Sequence, residues 1–163
     1  MPHPFCTSIN EHLNTITERL IICLDTVDDE KLWVDFTPNL SSPGNLVLHL
    51  TGNLNQYVLK GLGGQNFYRN RAKEFSDKPG SGREQLKKMF TATIRECRAV
   101  VDSLSEEQLC RIYKVQGFEY SGYGILIHVT EHLSHHTGQF TWFCKYLFTA
   151  DIDFYKGRDL DVR

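Results

Sequence analysis

Apolar residues recur every three or four positions over four long stretches of this chain, the period of an α-helix that buries one face. The first series is Ile9, Leu13, Ile16, Leu20, Leu24 and Val27. Ser8-x-x-Glu11, a capping-box pattern, opens it, and Asp28-Asp29 closes it. A second begins at Ser42-Pro43, an N-cap followed by proline at the first helical position, and runs to Gly61. The third covers Arg83 to Leu104, with Leu86, Met89, Phe90, Ile94, Cys97, Val100 and Val101 along one side. The fourth runs from Tyr123 to Thr149.

Helices two and three are separated by 22 residues, "GLGGQNFYRNRAKEFSDKPGSG", rich in glycine and charge. That is too long for a helical hairpin turn, and at up to about 3.3 Å per residue it can cross the length of a bundle. The pattern predicts an all-α fold: one four-helix bundle over residues 1–163, ordered up-down-down-up with a long crossover between helices two and three. The segment "CRIYKVQGFEYSGYG" before the fourth helix mixes β-formers with glycine and reads as an ordered loop or short hairpin.

A net charge of −2 gives no field for nucleic acid or an anionic membrane surface. No apolar run approaches the roughly 20 residues of a membrane span. "MPHPFCTSINEH" lacks the basic and apolar regions of a secretory signal, so the expected location is the cytoplasm. The five cysteines (Cys6, Cys23, Cys97, Cys110, Cys144) are scattered without a C-x-x-C pair, which argues against a disulfide framework or a thiolate zinc site. Cys23, Cys97 and Cys144 sit in helical apolar patterns, as small buried hydrophobes.

"HVTEHLSHHTGQ" (128–139) carries four of the seven histidines. With His128 at 0°, a turn of 100° per residue sets His132 at about 40°, His136 at about 80°, His135 at about −20° and Gln139 at about 20°. This stripe is read as the inward face, with Thr130, Ser134, Thr137, Thr141 and Lys145 opposite. Several imidazoles buried together need partners for every ring nitrogen. A divalent metal would take one nitrogen from each ligand, and His128/His132 and His132/His136 have the i, i+4 spacing of helical ligand pairs. A proton relay or a structural cluster are the competing readings. On helix two His49 lies in a polar strip with Asn45, Asn53 and Gln56, between two apolar flanks, which suits a pocket lining or a solvated face. His128-Val-Thr-Glu131-His132 also matches the inverted zincin pattern, but only 31 residues follow it and Glu131 lies off the stripe, so a peptidase is rejected.

"NLVLHLTGN" on helix two together with "HLSHHTGQ" on helix four resembles the DinB/YfiT-like family of metal-dependent enzymes. The resemblance covers nearly the whole chain. It implies an up-down-down-up bundle, often dimeric, with a three-histidine site for zinc, nickel or a similar divalent transition metal. Matched residue by residue, the ligands would be His49, His132 and His136, with Asn45, Asn53, His128, His135 and Gln139 as supporting or pocket groups. The family commonly has arginine before the glycine of H-x-G-Q, where this chain has Thr137, a change that a surface position tolerates. Characterised branches conjugate low-molecular-weight thiols or isomerise a substrate with thiol help.

Three neutral histidines plus a water form an open site of the catalytic kind. The expected function is transfer of a small thiol to an electrophile, the thiol coming from a cosubstrate because no cysteine belongs to the ligand set. A metal-dependent hydrolase and a non-catalytic metal-binding stress-response module are the alternatives. Leu126, Leu133, Phe140 and Leu147 recur every seven residues beside the histidine stripe. They widen the apolar arc beyond what one core requires, and predict a homodimer through helix four. The competing reading is that helix four is central, covered by the crossover or by the tail "DIDFYKGRDLDVR".

Overall fold

The computed structural model of the protein describes residues 2–37 and 40–162. Its elements are α1 (Pro4–Asp25), α2 (Pro43–Leu54) with a π-helical continuation (Asn55–Leu62), α3 (Arg71–Ser76), α4 (Arg83–Ser103) and α5 (Glu106–Cys110). A hairpin of β1 (Ile112–Val115) and β2 (Phe118–Ser121) then leads into α6 (Gly122–Leu147). The fold is all-α apart from this hairpin.

The ends of the helices follow local chemistry, with one exception. Helix α1 starts four residues before the expected Ser8 box: Pro4 occupies its first turn, and the His3 side chain accepts the Phe5 N–H at 3.2 Å. Ser8 and Glu11 lie inside the helix as ordinary exposed residues. Ser42 caps α2, its Oγ accepting the Asn45 N–H at 3.2 Å ahead of Pro43. Gly82, at the N-cap of α4, has no side chain to offer, and the Asp29 carboxylate accepts the Arg83 N–H at 2.9 Å in its place.

Packing joins distant segments pairwise. Helix α1 packs on α4 and α6, and α2 packs on the same two. Asn10 near the start of α1 donates to Asp102 at the end of α4 at 2.8 Å, while Arg83 at the start of α4 donates to the Asp25 carbonyl at 2.9 Å. Phe5 meets Tyr123 at the start of α6, and Cys144 near its end reaches the Cys23 carbonyl. Between them lies one core, including Leu13, Leu20, Leu50, Leu54, Phe90 and Ile125, all fully buried.

The buried side of α6 differs from the expected one. Leu126 and Leu133 are 0% exposed and Phe140 is 1% exposed within the single chain. Leu147, the fourth member of the series, is half-buried against the same core, so Leu126, Leu133 and Phe140 are not available as a dimer surface. Thr137, expected on the surface, is 4% exposed, whereas His135 and Gln139 face solvent. The histidine stripe runs along the edge of the buried arc, on the side of α2. The amphipathic pattern fixes how wide that arc is, but the covering helices fix its centre.

The crossover holds the short helix α3, packed on α2. Asn45 secures it: its Nδ2 donates to the Glu74 carbonyl at 2.9 Å and the Asp77 carbonyl at 2.7 Å. The hairpin turns through Gln116 and Gly117 at φ 53° and 81°, the two left-handed positions of a type I′ turn. Its tip folds back on the helices, where the Tyr57 hydroxyl donates to Gln116 Oε1 at 3.0 Å.

Candidate metal centre

Three imidazoles converge where α2 meets α6. One ring nitrogen each from His49, His132 and His136 lies within 4.8 Å of the other two. His49 is 5% exposed, and the two α6 histidines are half-buried. The i, i+4 spacing stacks His132 and His136 on one side of α6, and their ring centroids are 4.5 Å apart.

The tautomer of His49 is decided by a carboxylate. Its Nδ1 lies 2.9 Å from Glu74 Oε2, and an ionised carboxylate can only accept, so Nδ1 carries the proton and Nε2 is bare. Arg69 Nη2 is 3.2 Å from the same nitrogen, but both are then donors and no hydrogen bond joins them. Arg69 instead grips Glu74 with two bonds, Nε to Oε1 at 2.5 Å and Nη2 to Oε2 at 2.7 Å, and donates from Nη1 to Gln56 Oε1 at 3.0 Å. Burial alone would raise the Glu74 carboxyl, but the hydrogen bonds from Arg69 and His49 outweigh it and hold the group below its ordinary value.

His136 is fixed in the same manner from its own helix, Nδ1–H donating to Gln139 Oε1 at 2.7 Å. That leaves its Nε2 free. His132 Nε2 lies 3.1 Å from His49 Nε2, and the buried His132 Nδ1 has no hydrogen-bond partner among the described residues. Within the protein one lone pair of His132 is unmatched whichever tautomer forms. A divalent ion would take the Nε2 lone pairs of His49 and His132 together, with His132 protonated on Nδ1. Two ligands at about 2.0–2.1 Å from one ion are about 2.8–3.4 Å apart for angles between square and tetrahedral, which brackets the observed separation. The residues fit a transition metal, and three imidazoles suit zinc, nickel or their neighbours.

Desolvation, reinforced by the neighbouring His136, His49, His128 and Arg69, pushes His132 down to about 3. His136 is also lowered, chiefly by burial, against the raising effect of Gln139. Both stay neutral, as ligands must. Glu74 is matched by Arg69, its bidentate partner.

Two cavities open on this cluster and share His136 and Phe75. One, about 480 Å³, is lined by His49, His132 and polar groups including Asn53, Arg69, Arg71, Gln116 and Tyr120. The other, about 500 Å³, is lined by Leu40, Pro43, Leu46, Phe140, Trp142 and Phe143, with Ser41 and Gln139.

The remaining expected groups separate. Asn53 and His128 line the polar cavity, where each has a buried atom without a partner among the described residues, Asn53 Oδ1 and His128 Nε2. His128 is sandwiched between Tyr57 and Tyr120, at ring-centroid distances of 4.5 and 5.6 Å. Gln139 holds His136. Asn45 reaches neither cavity and acts behind the site, pinning the helix that carries Glu74. His135 leans on His136 at 5.1 Å between ring centroids but is exposed and lines neither cavity. Glu131 is exposed, so the zincin pattern has no counterpart in the site. Arg69 and Glu74 were not anticipated. A ligating histidine needs an acceptor for its second nitrogen, but no periodicity marks a buried acid on a six-residue helix within the crossover.

Residues 8–142 match the family model of the mycothiol S-transferases. The chain belongs to this DinB-like family. A search of curated proteins finds no match. Among solved structures, a DinB-like protein from Bacillus cereus superposes with a TM-score of 0.70 at 18% identity, over 89% of this chain and 93% of its own. A DinB-like protein from Bacillus subtilis gives 0.70 at 18% identity, over 91% and 96%. A conserved protein from Enterococcus faecalis gives 0.71 at 13% identity, over 88% and 97%. At these identities the neighbours show that this mycothiol S-transferase family member shares their fold.

Proposed function

We propose that this protein is a metal-dependent S-transferase that joins a low-molecular-weight thiol to an electrophile, with His49, His132 and His136 as ligands of one zinc or nickel ion. The observation that carries the reading is the convergence of three imidazoles at the junction of two cavities, with family membership in support. A bound divalent ion would supply Lewis acidity, lowering the pKa of a coordinated thiol so that it reacts as an anion near neutral pH. Glu74 and Arg69 hold His49 with Nε2 toward the site, and Gln139 does the same for His136. Phe75 forms part of both cavity walls beside His49, limiting water around the reacting atoms.

Several wider features belong to this proposal. The chain is one domain over 1–163, with long helices ordered up-down-down-up. Supporting pairs are Asn10 with Asp102, Cys23 with Cys144, Leu54 with Cys97 and Tyr57 with His128. Five free cysteines and a thiol cosubstrate suit a reducing cytoplasm, and no helix is long and apolar enough to cross a membrane. A homodimer through α6 would use exposed residues outside the two cavities, such as Ile127.

The test is a screen of metal-loaded protein against small thiols paired with electrophiles. Turnover should require both the thiol and the metal and disappear in His132→Ala. Turnover of the electrophile with water alone, unaffected by thiol, would replace this reading with the hydrolase.

A further inference from the structure

The two cavities have similar volumes and different linings, and among the described residues they share His136 and Phe75. Of the ten described residues around the larger, seven are apolar or aromatic, and the three polar ones (Ser41, His136, Gln139) carry no carboxylate or permanent cation. The smaller cavity holds two arginines and further hydrogen-bonding side chains. We infer that the apolar cavity is the electrophile's subsite, receiving an uncharged aromatic or branched-alkyl body whose reactive carbon reaches the histidines past His136, while the thiol occupies the polar cavity. This rests on the S-transferase reading for its chemistry.

Size and polarity support the assignment. A cavity of about 500 Å³ falls within the range that encloses drug-sized apolar molecules, with few polar groups to fix orientation. Trp142 from α6 and Phe75 from α3 can face an aromatic ligand, over a floor formed by the nearly buried rings of Phe140 and Phe143. Trp142 is 62% exposed yet forms part of this wall, and it stacks on Tyr146 with ring centroids 5.0 Å apart and planes 10° from parallel. An indole that is mostly in water is not there for the core. Its stacking partner restricts its rotamers, and a ligand in the cavity would cover its apolar surface. Leu46 enters from α2, half-buried, on the opposite wall. In the transfer itself, the thiol gives its proton to solvent, sulfur forms the new bond to carbon, and the leaving group departs with the electron pair of the bond it breaks.

Binding can be read without turnover. N-phenyl-1-naphthylamine, a neutral probe whose fluorescence rises in apolar surroundings, should titrate saturably onto the full-length protein with or without metal. Trp142→Ala, at an exposed site, and Leu46→Arg, which puts a charge into the cavity, should each weaken it by about tenfold or more at unchanged helical content. Gln116→Asn, in the polar cavity and away from Phe75, should leave probe affinity unchanged. With an aromatic electrophile, Leu46→Arg should raise its KM while sparing the KM for thiol. Equal probe affinity in wild type, Trp142→Ala and Leu46→Arg would overturn the assignment, as would loss of probe binding in Gln116→Asn. Absence of any thiol-dependent turnover would remove the transferase reading, while the titration would still decide whether this cavity takes an apolar body.

Discussion

His49 Nδ1 and Glu74 Oε2 are 2.9 Å apart, although the two residues lie on different helices joined by a long crossover. The imidazole presents its other nitrogen to the site because this carboxylate occupies the first. Arg69 keeps the carboxylate ionised.

Replacing His49, His132 or His136 with alanine should each abolish tight binding of one divalent ion, read by metal analysis of protein purified without an affinity tag. Glu74→Gln keeps the shape but removes the obligate acceptor. It should lower metal affinity by about 10–100-fold, the usual cost of losing a partner behind a ligand. Undiminished affinity in Glu74→Gln would show that the carboxylate does not orient His49.

Gly52 is tied to the same contact. A Cβ there would lie 2.1 Å from Glu74 Oε1, and the carboxylate is held by Arg69 and cannot simply swing aside. Gly52→Ala should therefore cost about 1–3 kcal/mol by overpacking and weaken metal binding at the same time. Gly138→Ala is the control: its Cβ meets nothing within 4 Å. Helix propensity should make that variant more stable by up to about 1 kcal/mol. Chemical denaturation and metal titration of the pair check both expectations.

Leu133 distinguishes a core position from an interface. Being fully buried within one chain, Leu133→Ala should cost about 2–5 kcal/mol in urea unfolding, and Leu133→Glu should prevent folding altogether. A folded, metal-binding monomer from Leu133→Glu would contradict this placement.

The metal-free protein should lose stability on mild acidification. His132 is held at about 3 in the folded chain, whereas an unfolded histidine titrates near 6.5. Between those values the unfolded state binds a proton that the folded state refuses. His132 thus contributes stability above about pH 6.5 that is lost progressively as pH falls toward 3. His132→Asn should flatten this slope in denaturation curves collected from pH 7.5 to 5. An unchanged slope would mean that other groups dominate.

The helices and the ligand pair were legible because both are local. Ser42-Pro43 marks the start of α2 through its own hydrogen bond and fixed φ, and the four-residue spacing of His132 and His136 places them on one side of any helix. The start of α1 was misplaced by a competing local signal: Ser8-x-x-Glu11 has the composition of a capping box, but His3-Pro4 reaches the helix first. Local composition between Cys110 and Gly124 fits either a loop or a hairpin, and the pairing of Tyr113 with Tyr120 across the strands decides it.

What the sequence determined by itself was the number and approximate extent of the long helices, the spacing of the α6 histidines and, through the family pattern, their link with His49. Only the tertiary structure decided which side of α6 is covered, moving Leu126, Leu133 and Phe140 into the core and His135 into water. It also brought Glu74 and Arg69 to His49 and divided the pocket into a polar and an apolar half. A helix's period is set by hydrogen bonds four residues apart and can be read along the chain. The covered side of a wide apolar arc, and the partner of a buried nitrogen, depend on segments far away in sequence that meet only when the core closes.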